Sequence, residues 1–343
     1  MNSRHLVDPE LLPALDALPS LHISREMLGM VRGQLASLYE RMSAGASASQ
    51  TVQMREVFAD GPAGAASIRL LVYSANRSGL ARPAYLYLHG GGFYMGSPDM
   101  ADAQSRTLAE TLDCVVVAVD YRLAPETSYP GNIEDCYAAL SWMYRNADEL
   151  GIDSSRIAVG GESAGGGLAA ALALLARDRG EYSLIHQQLI YPMLDDRSPA
   201  EPHPYTGEFG WTSERNRFAW HCLLGHEPGG EGVSPYAAAA RADRLNGLPP
   251  TFIGVGALDL LVEENLDYAR RLMRAGVAVE LHIYPGAFHG SDVAAKARVS
   301  RMHSRDQLAA LRTAFARSSS REHMKVDVLS AAEPKQLSLS KRA

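Results

Sequence analysis

From residue 52 onward the chain alternates short apolar runs rich in β-branched residues with longer runs of helical period, and this alternation limits the fold more than any other feature. The apolar runs fall at 52–58, 68–73, 84–88, 115–119, 157–160, 188–191, 252–255 and 279–284. Helical patterns fill the gaps at 101–112, 133–150, 164–179, 264–274 and 305–316. Strands that alternate with helices build a mostly parallel sheet covered on its faces by helices. The first two runs are separated by little more than Gly61-Pro62-Ala63-Gly64, too short for a crossover helix, so that pair is expected to be antiparallel.

The chain has 343 residues, enough for one large α/β domain with an accessory region. Hydrophobic residues at 46% and charged residues at 21% describe a soluble globular protein, and a formal charge of −6 offers no basic surface for nucleic acid. Cys114, Cys136 and Cys222 are odd in number, far apart and without metal-ligand spacing, which points to reduced thiols in a cytoplasmic protein. Leu11, Leu12, Leu15 and Leu18 are interrupted by Pro13, Asp16 and Pro19 before a signal-peptide core can form. No stretch approaches the roughly 20 apolar residues that span a bilayer. Asn76-Arg77-Ser78 is accordingly read as a polar turn.

Gly161-Glu162-Ser163-Ala164-Gly165 follows the apolar run Ile157-Ala158-Val159-Gly160 and precedes the alanine-rich helical run 164–179. It reads as a serine nucleophile on a strand-to-helix elbow, where glycine is needed on both sides because the turn is too tight for side chains. Amides at the start of the following helix favour a developing negative charge. The plainer reading is a glycine-rich junction with a capping serine. His89-Gly90-Gly91-Gly92 follows another apolar run, and its glycines let backbone amides approach a substrate oxygen. No Lys-Ser/Thr follows it, which argues against a nucleotide phosphate loop.

A serine hydroxyl needs a base, and the base needs an acid that fixes its tautomer. In an α/β-hydrolase arrangement both partners follow the serine in the chain, acid before histidine, each just past a strand. Asp259 ends the run Phe252-Ile253-Gly254-Val255-Gly256-Ala257-Leu258, and His289 follows the strand and turn that end in Ala287-Phe288. Glu263 is the reserve acid, but it would start the next helix and point elsewhere. His221, Cys222 and His226 form a conceivable metal trio, yet they lack a carboxylate or second paired motif, so no metal is expected.

His89-Gly90-Gly91-Gly92, Tyr121-Arg122-Leu123-Ala124-Pro125-Glu126 and Gly161-Glu162-Ser163-Ala164-Gly165, in that order, resemble the hormone-sensitive-lipase-like esterases, bacterial family IV. The resemblance spans roughly residues 50–317. It implies an α/β-hydrolase fold with an eight-stranded sheet and a small helical cap, and a serine carboxylesterase that needs no cofactor. It further implies Ser163 as nucleophile, Asp259 as acid, His289 as base, and the amides of Gly91, Gly92 and Ala164 as the oxyanion hole, with His89 and Glu126 structural. Two departures stand out. The acid loop reads Asp259-Leu260-Leu261-Val262-Glu263 where the family commonly has Asp-Pro-Leu-Arg-Asp, and the base is followed by Gly290-Ser291 where it often has Gly-Phe.

In that family a cap comes from the N-terminal helices and from the segment after the sixth core strand. Residues 1–50 and 198–236 occupy those places, around a catalytic domain at 51–197 and 237–317, with a mobile polar tail at 318–343. The 198–236 segment is rich in proline and glycine, and its aromatics argue against disorder. Phe93, Tyr94 and Trp211 are read either as walls of an apolar pocket for a short or medium acyl chain or as simple core. The expected reaction is hydrolysis of a small-molecule ester. A lactone, amide or carbamate hydrolase on the same fold, and a ligand receptor without catalysis, are the alternatives. The resemblance also implies a homodimer formed through the last strand, 279–284.

Overall fold

The computed structural model describes residues 2–18, 23–44, 51–62, 64–75, 81–199, 201 and 203–330, leaving aside the side chains of 38–44 and 317–330. Eight strands appear, β1 Val52–Ala59, β2 Ile68–Ala75, β3 Arg82–Leu88, β4 Val115–Val119, β5 Ile152–Glu162, β6 His186–Ile190, β7 Thr251–Gly256 and β8 Val279–Tyr284. The helices are α1 Leu12–Asp16, α2 Leu28–Ala44, α3 Asp102–Leu112, α4 Gly131–Arg145, α5 Ala147–Leu150, α6 Ala164–Arg179, α7 Ser213–Leu224, α8 Val262–Arg274 and α9 Arg298–Ser330.

One sheet contains all eight strands in the order β1-β2-β4-β3-β5-β6-β7-β8. β1 and β2 pair antiparallel, as the short connection between them requires, and β2 is antiparallel to β4 as well. Every pairing from β4 across to β8 is parallel. The alternation of side chains along a strand sorts the core into two layers. Ala84, Leu86 and Leu88 of β3, with Val115, Val117 and Val119 of β4, meet α4 and α6 on one face. Tyr85, Tyr87, Val116 and Ala118 meet Leu108 of α3 and Leu311 and Phe315 of α9 on the other. Helix α6 is buried along nearly its whole length, which explains its all-round apolar, alanine-rich sequence.

Several boundaries differ from the sequence reading, among them the start of β5, which lies at Ile152 and not at 157. The single helical pattern at 133–150 is interrupted at Asn146, whose side chain donates to the Trp142 carbonyl (2.8 Å) and closes α4. Helix α9 begins at Arg298 and is assigned through Ser330; the rest of the polar tail, 331–343, lies outside the described residues, as does the Asn76-Arg77-Ser78 turn. Among the described residues no helix is long and apolar enough to cross a membrane.

Candidate active site

Ser163 stands between β5 and α6 with φ 56° and ψ −119°, a backbone conformation that L-residues avoid. Three hydrogen bonds hold it there. Its N–H donates to the Ile190 carbonyl (2.8 Å), and its own carbonyl accepts from Gly167 and Met193 (both 3.0 Å). The flanking glycines are sterically required, since a Cβ at Gly161 or Gly165 would run into the Leu88 carbonyl at the end of β3. The elbow thus presses against the strand that feeds the His89-Gly90-Gly91-Gly92 loop.

His289, 126 residues further on, brings Nε2 to 2.9 Å from Ser163 Oγ. Its Nδ1 lies 2.7 Å from Asp259 Oδ2. A carboxylate can only accept there, so Nδ1 carries the proton and Nε2 is left to receive the serine hydrogen. Asp259 is fully buried, and its other oxygen accepts from the Leu261 N–H (3.0 Å). The loops that carry acid and base are tied to each other, because Leu258 N–H donates to the Ala287 carbonyl (2.9 Å). Glu263, the reserve acid, is exposed on α8.

The glycine loop turns through left-handed conformations at Gly91 (φ 122°), Gly92 (φ 59°) and Phe93 (φ 65°). A Cβ at Gly91 would meet the Met95 carbonyl, so only glycine fits. Ala164 supplies the first amide of α6, one of those at a helix start with no partner inside the helix. His89 lies behind the loop, stacked on Tyr121 with ring centroids 4.2 Å apart, and its Nδ1–H donates to the Gly90 carbonyl (2.8 Å). Burial pushes its pKa down to about 4, which keeps it neutral. Tyr121 OH donates to the His89 carbonyl (2.7 Å), and the Ala124 N–H to the Phe93 carbonyl (2.9 Å).

Phe93 and Tyr94 are fully buried. Phe93 packs on Trp220, with centroids 5.2 Å apart, and Tyr94 on Phe218 at 5.2 Å and Trp211 at 6.5 Å. Trp211 lies against the candidate site residues: its ring is 5.7 Å from that of His289, and its edge closes on Gly92 so tightly that a Cβ there would strike it. Asn216 fixes the indole by accepting from Nε1 (3.0 Å) and donating to the Ser198 carbonyl (2.7 Å).

Several residues around the site carried no signal in the sequence. Arg32 of α2 donates to the carbonyls of Tyr94 (2.7 Å) and Ala124 (2.8 Å) and forms a two-pronged pair with Glu126 (2.9 Å each). Tyr191, just past β6, touches the His289 ring and bonds to Asp292. Glu162 accepts from Tyr87 OH and from Gln104 (2.7 Å), and burial raises its pKa to about 7. Beside Gly96 and Ser97, where the glycine loop continues, lies a cleft of about 650 Å³ whose walls include Arg32, Leu35, Leu123 and Tyr73. His221, Cys222 and His226 do not gather: Cys222 is buried, and the two histidines turn to Glu227. Among the described residues no group of three or more His, Cys, Asp or Glu is placed to hold a metal ion.

A serine on a strained strand-to-helix turn, aligned with a histidine and a buried carboxylate on this sheet order, defines the α/β-hydrolase class. A family model described as alpha/beta hydrolase fold matches residues 85–292. Esterase LipI of Mycobacterium tuberculosis is 35% identical over 290 residues, covering 83% of this chain and 87% of the relative. Carboxylesterase NlhH of the same organism is 42% identical over 211 residues, 61% of this chain and 66% of that one. A solved structure titled Bacterial Heroin Esterase superposes with a TM-score of 0.86 at 40% identity, covering 92% of this chain and 99% of the other. The chain belongs to the α/β-hydrolase family, within its hormone-sensitive-lipase-like carboxylesterases, and hydrolyses ester bonds through a serine acyl-enzyme.

Proposed function

We propose that Ser163 is the nucleophile, His289 the general base and Asp259 the acid that orients it. The unbroken hydrogen-bond line from Ser163 Oγ through His289 to Asp259 carries this reading. His289 Nε2 takes the serine proton as Oγ attacks the ester carbonyl, then returns it to the leaving alcohol; water repeats the sequence on the acyl-enzyme. The oxygen of the tetrahedral intermediate is received by the amides of Gly91, Gly92 and Ala164. Replacement of Ser163 by Ala is expected to abolish hydrolysis of p-nitrophenyl acetate and butyrate with the fold retained. Residual turnover at the original rate would overturn the assignment.

The substrates proposed are small esters with short to medium acyl chains. Trp211, backed by Tyr94, forms one wall against the reacting groups, and residues 1–50 and 198–236 act as the cap. Pairing of two chains along β8 is supported by its place at the sheet edge, where Ile283 is exposed. Three buried free cysteines support a cytoplasmic location, and the net charge of −6 supports a role without nucleic acid.

A further inference from the structure

His289 is held at its two ring nitrogens, by Asp259 on one side and Ser163 on the other. Both bonds leave the ring in its plane, each at an angle to the axis that joins Nδ1 and Nε2. A ring held in this way can still rock about that axis, and rocking turns the Nε2 lone pair away from Oγ. The contact that resists rocking must come from outside the hydrogen-bond line, against the body of the ring.

Tyr191 makes such a contact. Its ring lies 4.7 Å from the imidazole, centroid to centroid, inclined at 61°. The tyrosine is itself fixed at both ends. Its backbone, at φ 34°, donates to the Gly254 carbonyl (2.7 Å). Its hydroxyl donates to the Asp292 carboxylate, at 3.0 and 3.1 Å from the two oxygens. Burial and the neighbouring Asp292 hold the Tyr191 pKa well above its usual value, so the hydroxyl remains a donor throughout the working range.

The two ends of this contact lead back to the triad. Asp292 sits three residues after His289, in the short turn Ser291–Val293 that anchors to the base loop through Ser291 N–H and the Phe288 carbonyl (3.0 Å). On the other side, Ile190 and Met193 flank Tyr191 and are the residues whose backbone groups grip Ser163. One four-residue stretch thus holds the nucleophile by its backbone and the base by a side chain.

We infer that Tyr191 is a positioning residue for ester cleavage: bonded to Asp292, its ring keeps His289 Nε2 aimed at Ser163 Oγ. The inference rests on the triad roles proposed above. It predicts an effect on proton transfer and not on substrate binding.

The test compares Tyr191→Phe, Asp292→Ala, Asp292→Asn and the double variant Tyr191→Phe/Asp292→Ala in the full chain. Two readouts are taken for each: kcat and KM with p-nitrophenyl butyrate, and the rate of inactivation by diethyl p-nitrophenyl phosphate, which reports Ser163 activation directly. Tyr191→Phe and Asp292→Ala are each expected to lower kcat and the inactivation rate by about 10- to 100-fold, the scale of loss when a reacting group is misplaced by a fraction of an ångström to an ångström. KM should stay within about twofold. The double variant should be no worse than either single one, because one interaction is lost in each case. Asp292→Asn keeps an acceptor oxygen and should recover most of the activity lost in Asp292→Ala. Should Tyr191→Phe fail to fold, the contrast between Asp292→Ala and Asp292→Asn decides alone. Unchanged kcat in Tyr191→Phe, a rise in KM at constant kcat, or equal losses in Asp292→Ala and Asp292→Asn would each overturn the inference. Failure of the phosphate ester to inactivate the unaltered protein would strike instead at the triad assignment.

Discussion

Asp259 gives one carboxylate oxygen to His289 Nδ1 and the other to the Leu261 N–H, so the acid is locked in plane before any substrate arrives. Its complete burial means that this bond is made without competition from water. Asp259→Asn would keep the shape of the site and present an NH₂ group where an acceptor is needed. The histidine then holds its proton on the wrong nitrogen. Steady-state kinetics should show kcat reduced by about 10⁴ with little change in thermal stability. A loss smaller than tenfold would argue that another group orients the base.

Trp211 is expected to set the acyl-chain preference. Its indole closes on Gly92 and on the His289 ring, and it is held by Asn216, so the wall does not yield to a longer chain. Trp211→Ala should raise the ratio of kcat/KM for p-nitrophenyl octanoate over butyrate by about tenfold, a shift of roughly 1.4 kcal/mol. A series of p-nitrophenyl esters from acetate to decanoate measures it. An unchanged ratio would place the acyl chain elsewhere.

Arg32 joins α2 to the glycine loop and to the Ala124–Glu126 stretch. Arg32→Ala would leave the Tyr94 and Ala124 carbonyls without these donors and Glu126 without its cation. A loss of about 2 kcal/mol in unfolding free energy is expected, read from denaturant titration. Arg32→Lys should not recover it, because a lysine ammonium cannot reproduce the planar fork that reaches two carbonyls and a carboxylate together.

Buried titratable groups should tilt the pH profile of stability in opposite senses. Burial pushes His89 and His186 down to about 4 from an ordinary 6.5. Below pH 6.5 the unfolded chain therefore takes up protons that the folded one refuses, and stability drains away as pH falls towards 4. Glu264 is the opposite case: burial raises it to about 8 from 4.5, so its contribution is complete below pH 4.5 and is lost as pH rises through 8. Thermal melts across this range should show His186→Gln losing less stability as pH falls from 6.5 towards 4, and Glu264→Gln losing less as pH rises from 4.5 to 8. Parallel curves for variant and parent would contradict the assignment.

What could be read from the sequence was what the chain writes in consecutive residues. The elbow and the glycine loop are local, since Gly161, Gly165 and Gly91 are dictated by carbonyls a Cβ would strike, and each lies within a few residues of the group it serves. Asp259 and His289 were readable because each follows a strand directly. Arg32 and the Tyr191–Asp292 bond were not, because their partners lie between 62 and 101 residues away and no periodicity marks either end. The break at Asn146 was hidden for another reason: apolar spacing continues through it, and what stops α4 is the non-helical backbone of Asn146 (φ −110°, ψ 21°) together with its side-chain bond to Trp142.

Among the described residues, the peptide groups of Ser163 bond to residues 167, 190 and 193, all in or beside the central sheet. The turn that sets Ser163 is therefore fixed by the sheet, whereas His289 is also touched by Gly210 and Trp211 of the 198–236 segment. Exchanging 198–236 for the equivalent stretch of a relative is expected to change which ester is admitted while keeping the Ser163 turn, and a library built on that seam should hold Gly210 and Trp211 constant so that the base keeps its packing.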